Sequence, residues 1–132
     1  MWPFLLLIHI VGKASILKFT ESIKKNSHFR YIYKNGKSYA NLYLVMYVLE
    51  NGTDCNKIGI SVSKKVGNSV VRHRVTRLIR ESYRLNENLL KKGIDIVVVA
   101  RARVKGISFV EVNSAVLHLV KLHCIFDNGK DG

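Results

Sequence analysis

The sequence predicts a single α+β domain in which helices pack on one sheet. Segments with helical periodicity alternate with strand-like apolar runs, in the order helix, two or three strands, long helix, strand, helix. The 132 residues, 48% of them apolar, suffice for one hydrophobic core but are too few for two ordinary domains. We therefore expect a sandwich of order α-β-β-β-α-β-α, built on one mostly antiparallel four-stranded sheet.

The first helix is predicted over residues 26–34. Its aromatic residues Phe29 and Tyr33 lie one turn apart, and Asn35-Gly36 supplies a stop signal. Residues 39–49 then form an unbroken run of aromatic, β-branched and aliphatic side chains. The turn signal Asn51-Gly52 separates this run from a second one at residues 57–63, which predicts two antiparallel strands.

The second half of the chain begins with the longest predicted helix, over residues 70–90, entered through the turn and cap residues Gly67, Asn68 and Ser69. Residues 94–100 (IDIVVVA) have the composition of a strand buried on both faces. Ser108 and Glu111 form a capping-box pattern before a last amphipathic helix. The apolar positions of that helix are Phe109, Val112, Val116, Leu119 and Val120.

The charge of the chain indicates a polyanionic partner. Lys and Arg outnumber Asp and Glu by 22 to 9, which gives a formal net charge of +13. Nucleic acid, an anionic membrane surface and a merely solvated basic surface are the three interpretations, and composition does not choose among them. The cysteines, Cys55 and Cys124, follow no redox spacing, which favours a reducing cytoplasm. His118 and His123 with Cys124 match no common metal site, so we expect ordinary packing there and no structural metal.

Residues 1–16 precede the predicted domain. The run from Trp2 to Val11 has the length of a signal peptide but lacks a positive n-region and a cleavage site, and it is too short to span a bilayer. A wrongly assigned start codon, an interfacial anchor and a segment packed on the domain remain open. We expect the working domain to cover residues 17–126 and residues 127–132 to form a flexible tail.

The long helix has one basic face. On a helical wheel, one side carries Val71, Val75, Leu78, Ile79, Ser82 and Leu85, which predicts the core face. The opposite side, here named the basic face, carries Arg72, His73, Arg74, Arg77, Arg80 and Arg84. The preceding entry loop, residues 61–68, adds Lys64, Lys65 and Asn68. A solvated face is the ordinary interpretation of such a charge run. Seven Lys and Arg residues against the single Glu81 favour contact with a phosphate backbone.

An aromatic surface is predicted on the first strand. By strand alternation Tyr43, Val45 and Tyr47 share one face. The opposite, aliphatic face carries Leu42, Leu44, Met46 and Val48 and is expected in the core. With Phe29 and Tyr33, the tyrosine face forms either an aromatic groove or a second half of the core, and periodicity alone does not decide between them.

Three segments carry a specific resemblance: KIGISVSKKVGNSVVRHRVTRLIRES at residues 57–82, KKNSHFRYIYKNGKSYAN at residues 24–41 and IDIVVVARAR at residues 94–103. Together they resemble the bacterial ribonuclease P protein family over roughly residues 24–122. Three positions depart from the family pattern. His73 replaces the Asn of an Arg-Asn-Arg motif, Thr76 replaces a basic residue, and Leu42 stands where a basic residue is common.

The resemblance implies a ribosomal-protein-like domain whose β-α-β crossover is left-handed, against the general right-handed rule. It implies an RNA-binding surface made of Lys64, Lys65, Asn68, Arg72, His73, Arg74, Arg77, Arg80 and Arg84. It also implies a cleft for a single-stranded 5′ leader made of Phe29, Tyr33, Ser38, Val45 and Tyr47.

In this interpretation the partners are a catalytic ribonuclease P RNA and precursor tRNA, Mg²⁺ acts at the RNA active site, and the protein has no catalytic residue, cofactor or metal of its own. Neither a membrane partner nor a protein oligomer is expected. Two alternatives remain. One is a ribosomal-type RNA-binding protein without processing activity, and the other is a membrane-surface protein that uses residues 1–11 with the basic face.

Overall fold

The computed structural model describes residues 17–127, which fold into one five-stranded sheet and three α-helices. The strands are β1 (Thr20–Ser22), β2 (Lys37–Ala40), β3 (Leu44–Glu50), β4 (Asn56–Ser61) and β5 (Ile94–Ala100). The helices are α1 (Asn26–Asn35), α2 (Ser69–Asn86) and α3 (Phe109–His123), and short 3-10 turns cover Glu87–Leu89 and Ala102–Val104. The predicted α-β-β-β-α-β-α order is confirmed from α1 onward.

The sheet has one strand more than expected. Its order is β1-β4-β5-β3-β2. β2 pairs with β3 and β3 with β5 in antiparallel fashion, whereas β1–β4 and β4–β5 are parallel, so the sheet is mixed. The extra strand, β1, has only three residues and one buried position, which is too short for any alternation to be visible in the sequence.

We expected the turn at Asn51-Gly52 to close a hairpin between neighbouring strands, and this prediction is wrong. β3 and β4 run in opposite directions, but β5 lies between them and is hydrogen-bonded to both. Six of the seven β5 residues are buried. A strand that is apolar on both faces needs a neighbour on each edge and a layer on each face, so it takes the central position. Asn51 instead leads the chain past the start of β5, where its amide donates to the Gly93 carbonyl at 2.9 Å.

The helices cover both faces of the sheet. α2 and α3 pack on one face and bury the main core, in which Leu44, Met46 and Ile96 are almost fully inaccessible. α1 packs on the other face, where Ile32 and Val97 form a smaller core. α2 therefore connects the parallel neighbours β4 and β5 as predicted. The left-handedness of this crossover stays a prediction.

Capping residues begin α2 and α3 as the sequence indicated. The Asn68 side chain accepts a hydrogen bond from the Val71 amide at 3.0 Å and begins α2. Ser108 and Glu111 form the complete capping box of α3. The expected N-terminal extension, residues 1–16, and the tail after Asp127 lie outside the described residues. None of the helices described is long and apolar enough to cross a membrane.

Candidate nucleic-acid interface

The core face of α2 anchors the basic face above the sheet. Val75, Ile79 and Ser82 are buried, as predicted. Leu85, predicted to be buried, is 49% exposed, and Tyr83 is buried in its place. The aromatic ring of Tyr83 extends toward β1, where its hydroxyl donates to Thr20 Oγ1 at 2.8 Å. The added strand therefore rotates the buried side of the last helical turn away from Leu85.

The basic face divides into side chains that are committed to the fold and side chains that are open to a partner. Arg84 forms a bidentate pair with Glu81, with N–O distances of 2.6 and 3.1 Å, and this pair raises the pKa of the guanidinium. Arg80 donates to Ser22 Oγ at 3.4 Å, and Arg74 donates to the Ile107 carbonyl at 3.1 Å.

Arg72 and Arg77 have no hydrogen bond or ion pair from their side chains to any residue in the range 17–127. His73, also on this face, is exposed. The open part of the basic face therefore lies in its first half, at the N-terminal end of α2.

The entry loop is ordered by one buried side chain and one local turn. Val66 is buried in the main core, and its amide donates to the Ser63 carbonyl at 3.0 Å. Lys64 and Lys65 are the two central residues of this turn, and both are exposed. Asn68, predicted as an RNA contact, uses its side chain to cap α2, so its side-chain oxygen is already engaged.

Phe29 and Tyr33 line a groove beside α1. Their ring centroids lie 6.3 Å apart, and Tyr33 meets Tyr47 of β3 edge-on at 4.9 Å. The groove has a volume of about 430 Å³ and is lined by Asn26, Phe29, Arg30, Tyr33, Ile60, Ser61 and Val62. Its aromatic wall was predicted. Arg30 and the end of β4 were not predicted to line the groove. The position of Arg30 next to Phe29 in the sequence does not show that both side chains face the same groove.

Gly59 explains how Phe29 reaches its position. A Cβ atom at Gly59 would lie 2.6 and 2.7 Å from two ring carbons of Phe29. The absence of a side chain therefore lets the Phe29 ring lie directly on the β4 backbone. Gly59 does not line the groove, but it supports the aromatic wall of the groove from beneath.

The other predicted cleft residues share the α1 face of the sheet. Ser38 is the cross-strand partner of Tyr47, and Val45 lies two residues before Tyr47 on β3. Tyr43 and Leu42 do not follow the predicted alternation. Both precede β3 in a turn.

The Asn41 side chain creates this turn. Its oxygen accepts hydrogen bonds from the amides of Tyr43 and Leu44. Tyr43 consequently packs against the main core instead of the cleft, and Leu42, predicted in the core, is exposed.

A buried polar cluster fixes α1 on the sheet. His28 Nε2 lies 2.8 Å from Asp95 Oδ2, and Asn51 Nδ2 donates to the other oxygen of Asp95 at 2.8 Å. Asp95 is 5% exposed. This cluster was not predicted, although a lone aspartate inside an otherwise apolar strand is a signal for a buried partner.

A second cluster attaches β1 to the end of α2. The buried carboxylate of Glu87 accepts hydrogen bonds from the amides of Lys18 and Phe19, at 2.8 and 2.9 Å, and from Thr20 Oγ1 at 2.6 Å. These bonds satisfy a charge that would otherwise be costly to bury. Within residues 17–127, no three His, Cys, Asp or Glu side chains converge on a position that could hold a metal ion.

Comparison with known proteins identifies the family. The sequence matches the family model for ribonuclease P over residues 17–123. The ribonuclease P protein component of Lachnoclostridium phytofermentans is 59% identical over 111 residues, which cover 84% of this chain and 96% of that relative. The component from Clostridioides difficile is 50% identical over 103 residues, 77% of this chain and 90% of the relative. The chain belongs to the ribonuclease P protein family.

Solved structures agree with this assignment. The ribonuclease P protein of Staphylococcus aureus superposes with a TM-score of 0.75 at 37% identity, over 80% of this chain and 97% of that one. The protein from Thermotoga maritima superposes with a TM-score of 0.72 at 34% identity, over 77% and 96% of the two chains. The chain is thus a subunit of the ribonuclease P ribonucleoprotein endonuclease of tRNA processing. The alternative of a ribosomal-type protein is excluded.

Proposed function

We propose that this subunit binds the catalytic ribonuclease P RNA with the entry loop and basic face, and receives the single-stranded 5′ leader of precursor tRNA in the aromatic groove. One observation carries the proposal. The groove and the basic face are joined by a single short segment, since Ser61 and Val62 line the groove while Asn68 caps α2. An RNA seated along α2 and a leader seated beside α1 would therefore meet at the entry loop.

The groove suits an unpaired strand of variable sequence. Aromatic rings stack on any base, and each stacked base contributes roughly 1–3 kcal/mol without reading base edges. Tyr33 is exposed at the groove while its ring is held edge-on by Tyr47. Arg30 offers a cation beside the same groove for the leader phosphates. We therefore expect a preference for the presence of a leader rather than for its sequence.

The open half of the basic face suits a phosphate backbone. The guanidinium groups of Arg72 and Arg77 offer planar donors for bidentate phosphate contacts. The exposed Lys64 and Lys65 of the entry loop extend the same charge toward the groove. Arg84 is expected to contribute less, because Glu81 already neutralises it.

Hydrolysis itself is assigned to the RNA partner. The buried carboxylates are engaged in the fold, Glu87 by three donors and Asp95 by His28 and Asn51. Glu21 pairs with Lys57, and Glu81 pairs with Arg84. Within residues 17–127, these carboxylates do not converge into a cage that could hold Mg²⁺. When Mg²⁺ is bound at the RNA active site it supplies an activated water for attack on the phosphodiester.

Reconstitution with a ribonuclease P RNA tests the proposal. Binding and cleavage of precursor tRNAs that carry leaders of graded length are measured for the wild type and for Tyr33→Ala. Tyr31→Ala is the matched control, because Tyr31 lies on the same helix, is 60% exposed and does not line the groove. We expect Tyr33→Ala to weaken the binding of long-leader substrates about tenfold and to leave the binding of leaderless tRNA unchanged. Equal losses for both tyrosine variants, or for tRNAs with and without leaders, would refute the leader assignment.

The remaining parts of the proposal are a protein that does not form oligomers by itself and a cytoplasmic location. The two thiols, Cys55 and Cys124, are unpaired and exposed, which supports a reducing compartment. Analytical ultracentrifugation of the protein alone tests the expected monomer.

A further inference from the structure

We propose that the loop between β5 and α3, residues 101–107, is a second phosphate-contacting element that extends the surface for the catalytic RNA to the α3 side of α2. This segment is named the flanking loop. The inference rests on the proposed function, because it assigns additional contacts to the same RNA. Neither the basic face nor the entry loop includes it.

The flanking loop is held beside the first turns of α2. Arg74 Nη2 donates to the Ile107 carbonyl at 3.1 Å, which connects the basic face to the end of the loop. Val104 is fully buried in the main core, and its amide donates to the Arg101 carbonyl at 3.0 Å. The backbone is therefore fixed by a buried anchor and two hydrogen bonds. A loop ordered before binding loses little conformational entropy when a partner arrives.

The exposed side chains of the loop are cationic. Arg101, Arg103 and Lys105 project from the segment that Val104 anchors, and all three are exposed. Arg101 donates to the Asn41 carbonyl at 2.8 Å, which directs its guanidinium toward the turn between β2 and β3. No described residue in the range 17–127 pairs with the side chain of Arg103 or Lys105.

The nearest carboxylate in sequence, Glu111, is already engaged by the amide of Ser108 at 3.0 Å in the capping box. Among residues 17–127, no salt bridge joins a cation of the flanking loop to a carboxylate, as expected of a surface that meets an anion.

The position of the loop favours the catalytic RNA over the leader. The aromatic groove lies on the α1 face of the sheet, whereas the flanking loop leads from the end of β5 to α3 on the opposite face. A strand in the groove would pass on the other side of the sheet. An RNA backbone along the basic face would have Arg72 and Arg77 on one side and the flanking loop on the other. Arg74 then has two roles, because it contributes charge and also positions the loop.

The test compares two double variants of the full chain that lose the same charge. Arg103→Ala with Lys105→Ala removes two cations after β5, and Lys91→Ala with Lys92→Ala removes two cations before β5, at the opposite end of the sheet. Affinity for ribonuclease P RNA is measured across a series of monovalent salt concentrations. We expect the flanking-loop variant to lower the slope of log K against log salt by about 1.4 to 1.8, at about 0.7 to 0.9 per lost phosphate contact. The Lys91/Lys92 control should lower it far less.

Further measurements make the outcome decisive. Thermal melting confirms that both variants fold. Arg72→Ala with Arg77→Ala serves as the reference for the basic face. A loss of slope for the reference but not for the flanking loop would overturn this inference alone. No loss for either would overturn the proposed function of the basic face as well. A flanking-loop variant that binds the catalytic RNA normally but binds precursor tRNA weakly would also overturn the assignment, because the loop would then contact the substrate.

Discussion

Substitution of Gly59 by alanine tests how the groove is built. The added methyl group would lie 2.6 and 2.7 Å from two ring carbons of Phe29 and 3.3 Å from Ile23 Cδ1. Non-bonded carbons are normally separated by about 3.5–4.0 Å, so the Phe29 ring must move by about 1 Å. The ring belongs to a half-buried residue of α1 that lines the groove, so its movement changes the shape of the groove wall.

The expected change in stability follows from two opposing terms. Overpacking at a well-packed position costs typically about 1–3 kcal/mol. Replacement of glycine by alanine where the backbone is compatible gains about 0.4–1 kcal/mol, because the unfolded chain loses freedom. Gly59 has no left-handed backbone conformation, so the gain applies. The net expectation for Gly59→Ala is a destabilisation of about 1 kcal/mol, or a fall in Tm of about 4 °C.

A double-mutant cycle isolates the contact. Phe29→Leu removes the ring that the new methyl group would strike. In that background Gly59→Ala should be neutral or stabilising, so its destabilising effect should disappear. Unfolding free energies are measured by denaturant titration, and leader-dependent affinity is measured in the reconstituted holoenzyme. Gly59→Ala alone should weaken leader binding several-fold and leave affinity for the catalytic RNA unchanged. An equal effect of Gly59→Ala in both backgrounds would refute the reasoning.

Three further predictions follow from the site. Glu87→Gln should lower the free energy of unfolding by about 2–4 kcal/mol, because an amide cannot accept all three hydrogen bonds at this buried position; chemical denaturation measures this, and a loss below 1 kcal/mol would contradict it. Arg77→Ala should lower the salt slope of RNA binding by about 0.7–0.9, while Arg84→Ala, already paired with Glu81, should lower it less; equal slopes would contradict the division of the basic face. Burial lowers the pKa of His123 from 6.5, so the unfolded chain is protonated first and stability should fall as the pH falls below about 6.5; His123→Gln should flatten this dependence in melts between pH 7 and 5.

The basic face and the aromatic wall could be predicted because each depends on local periodicity. Residues three and four apart on a helix share a face regardless of the rest of the fold, which is why Val75 and Ile79 were assigned correctly. Helical periodicity predicts the wrong burial for Leu85. In the last turn of α2 the buried residue is Tyr83, which contacts β1, a strand distant in sequence. A three-residue strand carries no periodic signal.

Side-chain hydrogen bonds account for the other errors. Strand alternation was extended to Leu42 and Tyr43, which precede β3. Nothing in a run of apolar residues marks the point where the Asn41 side chain turns the backbone. The clusters around Glu87 and Asp95 join residues between 44 and 69 positions apart in sequence. Such pairs are determined by tertiary structure, and a single sequence gives only the indirect sign of a charge in an apolar context.

The arrangement of the groove also bears on turnover. A leader that stacks beside Phe29 and Tyr33 strengthens the binding of the tRNA only while the two are covalently joined. After cleavage, the mature tRNA no longer gains affinity from these stacking contacts. If one or two bases stack at roughly 1–3 kcal/mol each, precursor tRNA binds at least about fivefold more tightly than mature tRNA through this groove alone. The basic face is not affected by cleavage, because its proposed contacts are with the catalytic RNA. Substitution of the aromatic side chains of the groove by alanine should therefore make the affinities for precursor and mature tRNA similar, and the protein should stay bound in the holoenzyme.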